Sequence, residues 1–145
     1  AAAATGRPAR RYPYEPLLHE EAVAPSGGVF GCRCLACYRL RLDYAARHAR
    51  EEGFDTLSTT LLVSPWQQHE DIIAIGREAA AAHGLTFLDR DFRPFYRAGQ
   101  ERAKALGLYR QKYCGCSASK DEAETQRRER EEAKAARIAP DGQGR

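Results

Sequence analysis

Five cysteines in two tight groups constrain what this chain can fold into more than any other feature of its sequence. Cys32, Cys34 and Cys37 lie close together, and Cys114 and Cys116 flank a single glycine. An odd number of closely spaced cysteines is not typical of a secreted domain held by disulfides, so we expect a cytoplasmic chain. Such spacing is typical of metal binding, iron–sulfur chemistry or thiol redox chemistry. The alternative, buried thiols that pack as small apolar side chains, does not require short spacing.

The first cysteine group lies at the start of a predicted helix. Apolar residues at helical spacing predict this helix over about residues 35–52, and Gly53 is suited to end it. Cys34 and Cys37 therefore fall in or just before its first turn. A CxxC pair in this position suits zinc, an iron–sulfur cluster or a dithiol.

Short strands and helices alternate after this helix. Residues 56–63 and 86–89 are rich in β-branched and apolar side chains, and each segment predicts a strand. A helix is predicted between them, and another over about residues 95–106. This alternation predicts the α/β fold class with a mostly parallel sheet.

Polar side chains occupy the loops that follow the two predicted strands. Ser64 and Gln67 have the spacing of a capping box around Pro65, which predicts that the intervening helix begins there. Ligands bind beyond the carboxyl ends of parallel strands. We therefore expect Ser64, Gln67, Asp91 and Arg93 to shape a binding pocket.

The second cysteine group is a rarer motif. Cys114 and Cys116 can close only a very small ring, so a disulfide between them would be strained and easily reduced. Gly115 supplies the backbone freedom that ring closure requires. These properties suit a redox pair. The alternative is a closed four-thiolate zinc site, with Cys32 as an extra ligand or a bystander. Its ligands would be Cys34, Cys37, Cys114 and Cys116.

Two tyrosines flank two cations directly before the second cysteine group. Arg110 and Lys112 lie between Tyr109 and Tyr113. This pattern suits RNA, because aromatic rings stack on bases and cations bind phosphates. The alternative is a solvated amphipathic strand whose two tyrosines pack inward.

The two ends of the chain differ from its centre. Residues 1–31 are poorly patterned, residues 32–119 form the α/β region, and residues 120–145 are a charged tail that is either a frayed helix or disordered. Lys and Arg total 23 and Asp and Glu total 20, and this net charge of +3 is compatible with a polyanionic partner. No stretch approaches the roughly 20 apolar residues of a membrane-spanning helix.

Four segments together resemble a known family. They are GCRCLACYRLRL at residues 31–42, STTLLVSP at 58–65, DFRP at 91–94 and GLYRQKYCGC at 107–116. In this order, the sequence over about residues 12–119 resembles the QueH-type epoxyqueuosine reductases. The resemblance implies a Rossmann-like fold akin to the adenine-nucleotide α-hydrolases. It also implies an oxidoreductase that reduces epoxyqueuosine to queuosine in tRNA, the last step of queuosine biosynthesis.

The resemblance implies roles for individual cysteines. Cys34 and Cys37 match one pair of ligands of a 4Fe-4S cluster, beside which the family carries a further iron, and Cys114 and Cys116 match a redox-active pair. The implied partners are tRNA with epoxyqueuosine at the wobble position and an electron donor. We expect several cations to help hold the tRNA: Arg33, Arg39, Arg41, Arg110 and Lys112.

One segment of the family pattern has no counterpart in this sequence. The family begins with a strand that ends in a Cys-Cys pair, which supplies the remaining cluster ligands, and no such pair exists here. We therefore expect a Rossmann-like sheet without its first strand and helix. The absence of methionine favours a piece of a longer reading frame over a degenerate relative. The alternatives to a reductase are a non-enzymatic zinc-binding or tRNA-binding module and an inactive fragment.

Overall fold

The computed structural model describes residues 6–13 and 15–138. The chain forms two compact units, Ala1–Leu108 and Tyr109–Arg145. In the described residues, the first unit contains four α-helices, two short β-strands and three 3₁₀ helices, and the second unit contains one long α-helix. The helices and strands are α1 (Pro16–Val23), α2 (Cys32–Glu51), β1 (Thr56–Leu57), α3 (His69–Ala82), β2 (Thr86–Phe87), α4 (Tyr96–Ala105) and α5 (Ser117–Ile138). The 3₁₀ helices are Ala24–Ser26, Thr60–Val63 and Arg93–Phe95.

The cysteine helix α2 begins earlier than the sequence predicts. Gly31 adopts a φ of 90° directly before it, a conformation that favours glycine. The carbonyl of Gly31 accepts a helical hydrogen bond from the backbone N–H of Leu35 at 3.0 Å. Cys34 therefore lies in the first turn of α2, as predicted, and Cys37 in the second. The predicted end is confirmed, because Gly53 has a φ of 82° directly after the last turn.

The poorly patterned residues before α2 include a helix, α1, that the sequence does not predict. Ahead of it, the chain crosses the far end of α2. Arg10 and Tyr12 both donate hydrogen bonds to the carboxylate of Glu52, at 2.7 and 2.5 Å. The ring of Tyr12 stacks on His48 with 4.0 Å between the ring centroids. These contacts are exposed and polar, so they leave no apolar periodicity in the sequence.

The parallel sheet is much shorter than predicted. β1 and β2 pair in parallel over two residues each. The predicted strand over residues 56–63 is wrong beyond its second residue. The reason is that the Thr59 hydroxyl accepts a hydrogen bond from the N–H of Leu61 at 3.2 Å, which begins a 3₁₀ helix instead. The predicted strand over residues 86–89 also ends early, at Phe87.

Helix α3 starts later than predicted, at His69. The predicted capping box is wrong, because the Ser64 hydroxyl accepts a hydrogen bond from the N–H of Trp66 at 3.3 Å within a local turn. Gln68 occupies the N-cap position of α3, and no side chain caps the helix. The residues between Ser64 and Gln68 therefore form a loop.

One apolar core lies between α2, α3 and the sheet. Helix α3 contributes Ile72, Ile75 and Ala79, which recur at helical spacing and form its buried stripe. The ring of Phe87 on β2 packs against this stripe at Gly76. The buried members of the core are Tyr38, Leu42, Ala46, Leu57, Leu62, Ile72, Ile75, Ala79, Ala80, Leu85 and Phe87.

The remaining helices agree closely with the sequence. Helix α4 is preceded by a 3₁₀ turn and followed by Gly107, which has a φ of 63° as a helix-ending glycine. In the second unit, α5 forms a helix over Ser117–Ile138, which includes the first part of the charged tail. The rest of the predicted tail, residues 139–145, lies outside the described residues.

The helices and the parallel strands confirm the α/β fold class, with helices predominating. The Rossmann-like arrangement stays a prediction, because a sheet of two short strands does not establish it. Throughout the described ranges, no helix is long and apolar enough to cross a membrane.

The close contact between α3 and β2 can be tested by adding one methyl group. A Cβ atom at Gly76 would overlap the ring of Phe87. We predict that Gly76→Ala lowers the free energy of unfolding by about 1–3 kcal/mol, the usual cost of overpacking a core, as measured by urea denaturation. The matched control is Gly99→Ala in α4, where a Cβ meets open space and should stabilise by up to about 1 kcal/mol. Equal effects of the two substitutions would contradict the close packing.

Candidate functional site

The carboxyl ends of β1 and β2 bring two loops together. Because the strands are parallel, the segments that follow them leave the sheet at the same edge. Ser58 donates a hydrogen bond from its hydroxyl to the carbonyl of Leu88 at 2.9 Å, which joins the first residues beyond the two strands. The 3₁₀ helices of the two loops also contact each other. We call residues 58–68 and 88–95 the carboxyl edge.

A partly buried hydrogen bond joins the cysteine helix to the carboxyl edge. Tyr38 is 2% exposed, and its hydroxyl donates to Oε1 of Gln67 at 2.6 Å. The amide of Gln68 lies near Gly31, the residue before α2. Because Cys37 directly precedes Tyr38, these contacts hold the start of α2 against the loop that follows β1.

Cys34 and Cys37 share a face of α2, whereas Cys32 does not. Residues three apart on a helix are neighbours, and Cys32 points about 140–160° away from the other two around the helix axis. Cys37 is buried, and Cys34 is half-buried and packs against the core. Cys32 is exposed. The structure therefore brings the CxxC pair together and separates Cys32 from it.

The two CxxC thiols have the donor type and the spacing of metal ligands, but two thiols are too few for a complete site. Thiolates are the ligands that zinc and iron–sulfur clusters prefer, and a 4Fe-4S cluster takes four of them. Within each unit, the described residues contain no group of three or more His, Cys, Asp or Glu side chains placed to hold a metal ion. Cys34 and Cys37 would therefore supply only two of the four thiolates that such a cluster takes.

A cluster of charged side chains forms around the second loop of the carboxyl edge. The guanidinium of Arg93 donates to both carboxylate oxygens of Asp91, at 2.9 and 2.8 Å. The buried His69 has its Nε2 3.5 Å from the same carboxylate and its Nδ1 3.3 Å from that of Glu70. Asp91 and Arg93 thus lie in the predicted loop, and each orients the other through a two-pronged pair.

The pairing keeps Asp91 ionised over a wide pH range. Hydrogen bonds from the side chain and then the backbone N–H of Arg93 hold the pKa of Asp91 at about 2, against an ordinary value of 3.8. The same contacts raise the pKa of Arg93. Because the pKa of Asp91 is lower in the folded state, the pair stabilises the fold above about pH 4. That contribution is lost as the pH falls from about 4 to about 2.

The CxC pair of the second unit lies directly before α5. In the described residues, Cys114 and Cys116 are not joined by a disulfide. The thiol sulfur of Cys116 accepts a hydrogen bond from the N–H of Ser119 at 3.4 Å, in the manner of an N-cap. Its carbonyl accepts from the Ser119 hydroxyl at 2.9 Å. Gly115 has a φ of 120°, which favours glycine, as the motif predicts.

The segment before the CxC pair is not a strand. Tyr109 is 82% exposed, so the alternative of a strand with inward tyrosines is wrong. The side-chain amide of Gln111 donates to the carbonyl of Tyr113 at 2.8 Å and bends the segment locally. Arg110 and Lys112 are exposed within it.

The cations expected on α2 are not equivalent. Arg39 and Arg41 are exposed. Arg33 is buried, and its guanidinium donates to the carbonyl of Gly28 at 2.7 Å and lies over the ring of Phe30. Arg33 therefore holds the turn before α2, whereas the other two face solvent.

Sequence reasoning missed the roles of His69 and Tyr38. The helical stripe predicts Tyr38 only as a core residue, because its hydroxyl bonds to a loop that the sequence predicts to be helical. An isolated histidine carries no pattern of its own. The position of His69 in the chain could have indicated its contact with Asp91. His69 directly follows the loop after β1, and Asp91 lies in the loop after β2.

The charge state of Asp91 is directly measurable. We predict that an NMR titration of its carboxyl carbon is centred at about pH 2 in the wild-type chain, and that Arg93→Ala moves it towards 3.8. The control is Arg90→Ala, which removes a nearby cation that lies over the ring of Phe92 and should leave the titration unchanged. An Asp91 that titrates at its ordinary value in the wild-type chain would show that the pair does not form in solution.

Comparison with known proteins links this arrangement to one family. The family model described as epoxyqueuosine reductase QueH matches residues 9–122. The epoxyqueuosine reductase QueH of Dehalococcoides mccartyi is 37% identical over 84 residues, which cover 58% of this chain and 46% of the relative. The protein of the same name from Thermotoga maritima is 40% identical over 86 residues, which cover 58% of this chain and 45% of the relative.

A third relative extends the match. The epoxyqueuosine reductase QueH of Helicobacter pylori is 38% identical over 104 residues, which cover 66% of this chain and 28% of the relative. The chain thus spans less than half the length of these three relatives. The matched residues 9–122 nevertheless include both cysteine groups and the whole carboxyl edge. The chain therefore belongs to the epoxyqueuosine reductase QueH family.

Proposed function

We propose that this chain acts as an oxidoreductase in the reduction of epoxyqueuosine to queuosine in tRNA, with Cys114 and Cys116 as its redox pair. The observation that carries the proposal is the family match, which spans both cysteine groups. The relatives that match the chain are named epoxyqueuosine reductases. The two thiols before α5 could donate electrons to the substrate, and the polar side chains of the carboxyl edge could bind it.

Cys114 and Cys116 can supply what epoxide removal consumes. Converting the epoxide to an alkene breaks two C–O bonds and takes up two electrons and two protons, and the oxygen leaves as water. Closing one disulfide between the two thiols releases two electrons and two protons. A disulfide in so small a ring is readily reduced again by an electron donor. The left-handed backbone of Gly115 supports this cycle.

Cys34 and Cys37 are the proposed ligands of a 4Fe-4S cluster, with the further iron that the resemblance implies. Their support is the shared face on α2 and the link from the adjacent Tyr38 to Gln67. When bound, such a centre supplies electron transfer and a Lewis acid for the epoxide oxygen. Half-burial of Cys34 and burial of Cys37 would shield the ligating sulfurs from water.

The carboxyl edge is the proposed site of the modified nucleotide. Its first loop offers uncharged polar groups, and its second loop offers a carboxylate and a guanidinium held in one orientation. Exposed cations elsewhere would bind the phosphates of the tRNA. The proposed edge residues are Ser64, Gln67, Asp91 and Arg93, and the proposed phosphate contacts are Arg39, Arg41, Arg110 and Lys112.

The proposed reaction is tested with tRNA that carries epoxyqueuosine. We expect the chain, reconstituted with iron and sulfide and supplied with dithionite, to form queuosine, as measured by mass spectrometry of the nucleosides. Cys114→Ser or Cys116→Ser should lower the rate by about 100-fold or more, because each removes a reacting thiol. The control is Cys32→Ser, an exposed thiol outside both pairs, which should retain the rate. A wild-type chain that forms no queuosine, or equal rates in all three variants, would refute the proposal.

The proposed cluster has a readout that does not depend on activity. We expect the reconstituted chain to be brown, with broad visible absorbance and bound iron and sulfide. Cys34→Ser or Cys37→Ser should each lower the iron content and the absorbance, whereas Cys32→Ser should not, because it lies on another face of α2. A colourless protein that holds one zinc ion tightly, and loses it on substitution of Cys34 or Cys114, would favour the four-thiolate zinc site instead.

A further inference from the structure

Trp66 is the only tryptophan of this chain, and it is 78% exposed. It lies in the first loop of the carboxyl edge, between Pro65 and Gln67. An aromatic side chain usually buries about 150–250 Å² and contributes much of the stability of a core or an interface. Within its own unit, Trp66 instead leaves most of its indole in water. Its place in the carboxyl edge makes Trp66 a candidate aromatic contact for a ligand bound there.

The backbone that carries Trp66 is anchored on both sides. The N–H of Trp66 donates to the hydroxyl of Ser64 at 3.3 Å. On the other side, Gln67 accepts the hydrogen bond from the buried Tyr38 at 2.6 Å. The indole therefore projects from a loop whose position is set before any ligand binds. A rigid aromatic side chain loses little conformational freedom when it is covered.

The loop that carries Trp66 has no charged side chain of its own. Residues 58–68 contain no Asp, Glu, Lys or Arg, although such residues make up 30% of the chain. A second exposed ring, Phe30 at 67% exposure, precedes Gly31, which lies against the amide of Gln68. A flat, neutral and aromatic ligand matches this surface better than a phosphate or an acidic peptide. A nucleobase has these properties.

The helix that is hydrogen-bonded to this loop carries net positive charge. Helix α2 carries five arginines against two carboxylates, an excess that equals the net charge of +3 of the whole chain. Arg39 and Arg41 are exposed on it. A strand of RNA would thus find cations for its phosphates on the helix that is hydrogen-bonded to the loop of Trp66.

We propose that Trp66 stacks on an unpaired base of the RNA that binds at the carboxyl edge. The stacking favours a single-stranded loop over a paired stem, because only an unpaired base exposes a face to the indole. This inference rests on the proposed function, which makes RNA the substrate. Trp66 is a binding residue in this scheme and takes no part in the reduction.

The single tryptophan makes the stacking directly observable. We expect the fluorescence of Trp66 in the full chain to fall as an unmodified anticodon stem–loop RNA is added, and to reach a plateau. A fully paired RNA duplex of the same length should cause little change, because its bases are covered. Both titrations are done at the same salt concentration, since phosphate contacts depend strongly on it.

Substitution of Trp66 separates stacking from phosphate binding. Trp66→Ala should weaken binding of the stem–loop by about 5- to 150-fold, the range expected for one stacked base, and leave binding of the duplex unchanged. Trp66→Phe should lose less, because it keeps an aromatic face. The matched control is Phe54→Ala, which removes a ring that is 58% exposed just before β1, at the other end of that strand, and should bind both RNAs as the wild type does.

Three outcomes would overturn the inference. In the first, the stem–loop binds the Trp66→Ala chain as tightly as the wild-type chain, and the fluorescence of the wild-type chain does not change when the stem–loop binds. Another is a stem–loop that does not bind at all. The third is a fluorescence shift that depends on protein concentration without RNA, which would mean that a second copy of the chain covers Trp66.

The inference and the proposed function can fail separately. If only stacking fails, the Trp66→Ala chain forms queuosine with the same KM and kcat as the wild type. If only the proposed function fails, RNA quenches Trp66 but no queuosine forms.

Discussion

The packing of α2 against α3 supports the rest of the first unit. The sheet has two residues in each strand, and so few backbone hydrogen bonds cannot stabilise it alone. Tyr38 and Leu42 of α2 instead share one core with Ile72 and Ile75 of α3. Burial of each of the three aliphatic side chains contributes about 1.5–3 kcal/mol. β2 joins this core through Phe87. The helices therefore position the strands, and through them the loops of the carboxyl edge.

The same packing decides which thiols can act together. Cys34 packs against the core, Cys37 is buried, and Tyr38 follows on the adjoining part of the helix surface. Both thiols therefore lie on the part of the α2 surface that faces away from solvent. Cys32 lies outside this surface, where the helix faces solvent. One helix thus holds Cys34 and Cys37 on the same face and Cys32 on its solvent-exposed face.

Sequence patterns predict the helices of this protein better than its strands. The buried stripe of α3 and the glycine after α2 have clear periodic or conformational signals, and both predictions are confirmed. The predicted strand over residues 56–63 fails because the Thr59 hydroxyl bonds to its own backbone two residues on, which periodicity does not register. Helix α1 and the contacts of Tyr12 with Glu52 leave no signal because they are exposed.

In the candidate site, too, the sequence predicts the features that depend on local spacing and misses those that depend on distant contacts. Spacing alone predicts that Cys34 and Cys37 share the start of a helix, because three residues make most of one turn. It also predicts that Asp91 and Arg93 share a loop beyond a strand. The bond from Tyr38 to Gln67 joins residues far apart in sequence, so no local pattern contains it. Its existence depends on how the loop between β1 and α3 folds.

That loop is where local preference and the structure disagree most. Ser64, Pro65 and Gln67 have the residue types of a helix start, yet α3 begins only at His69. A helix begun at Pro65 would direct Gln67 back to Ser64. In the loop, Gln67 instead accepts a hydrogen bond from the hydroxyl of the buried Tyr38. Natural sequences depart from their local preferences mainly at functional sites. The departure here joins the thiol-bearing helix to the carboxyl edge and leaves Trp66 facing outward from it.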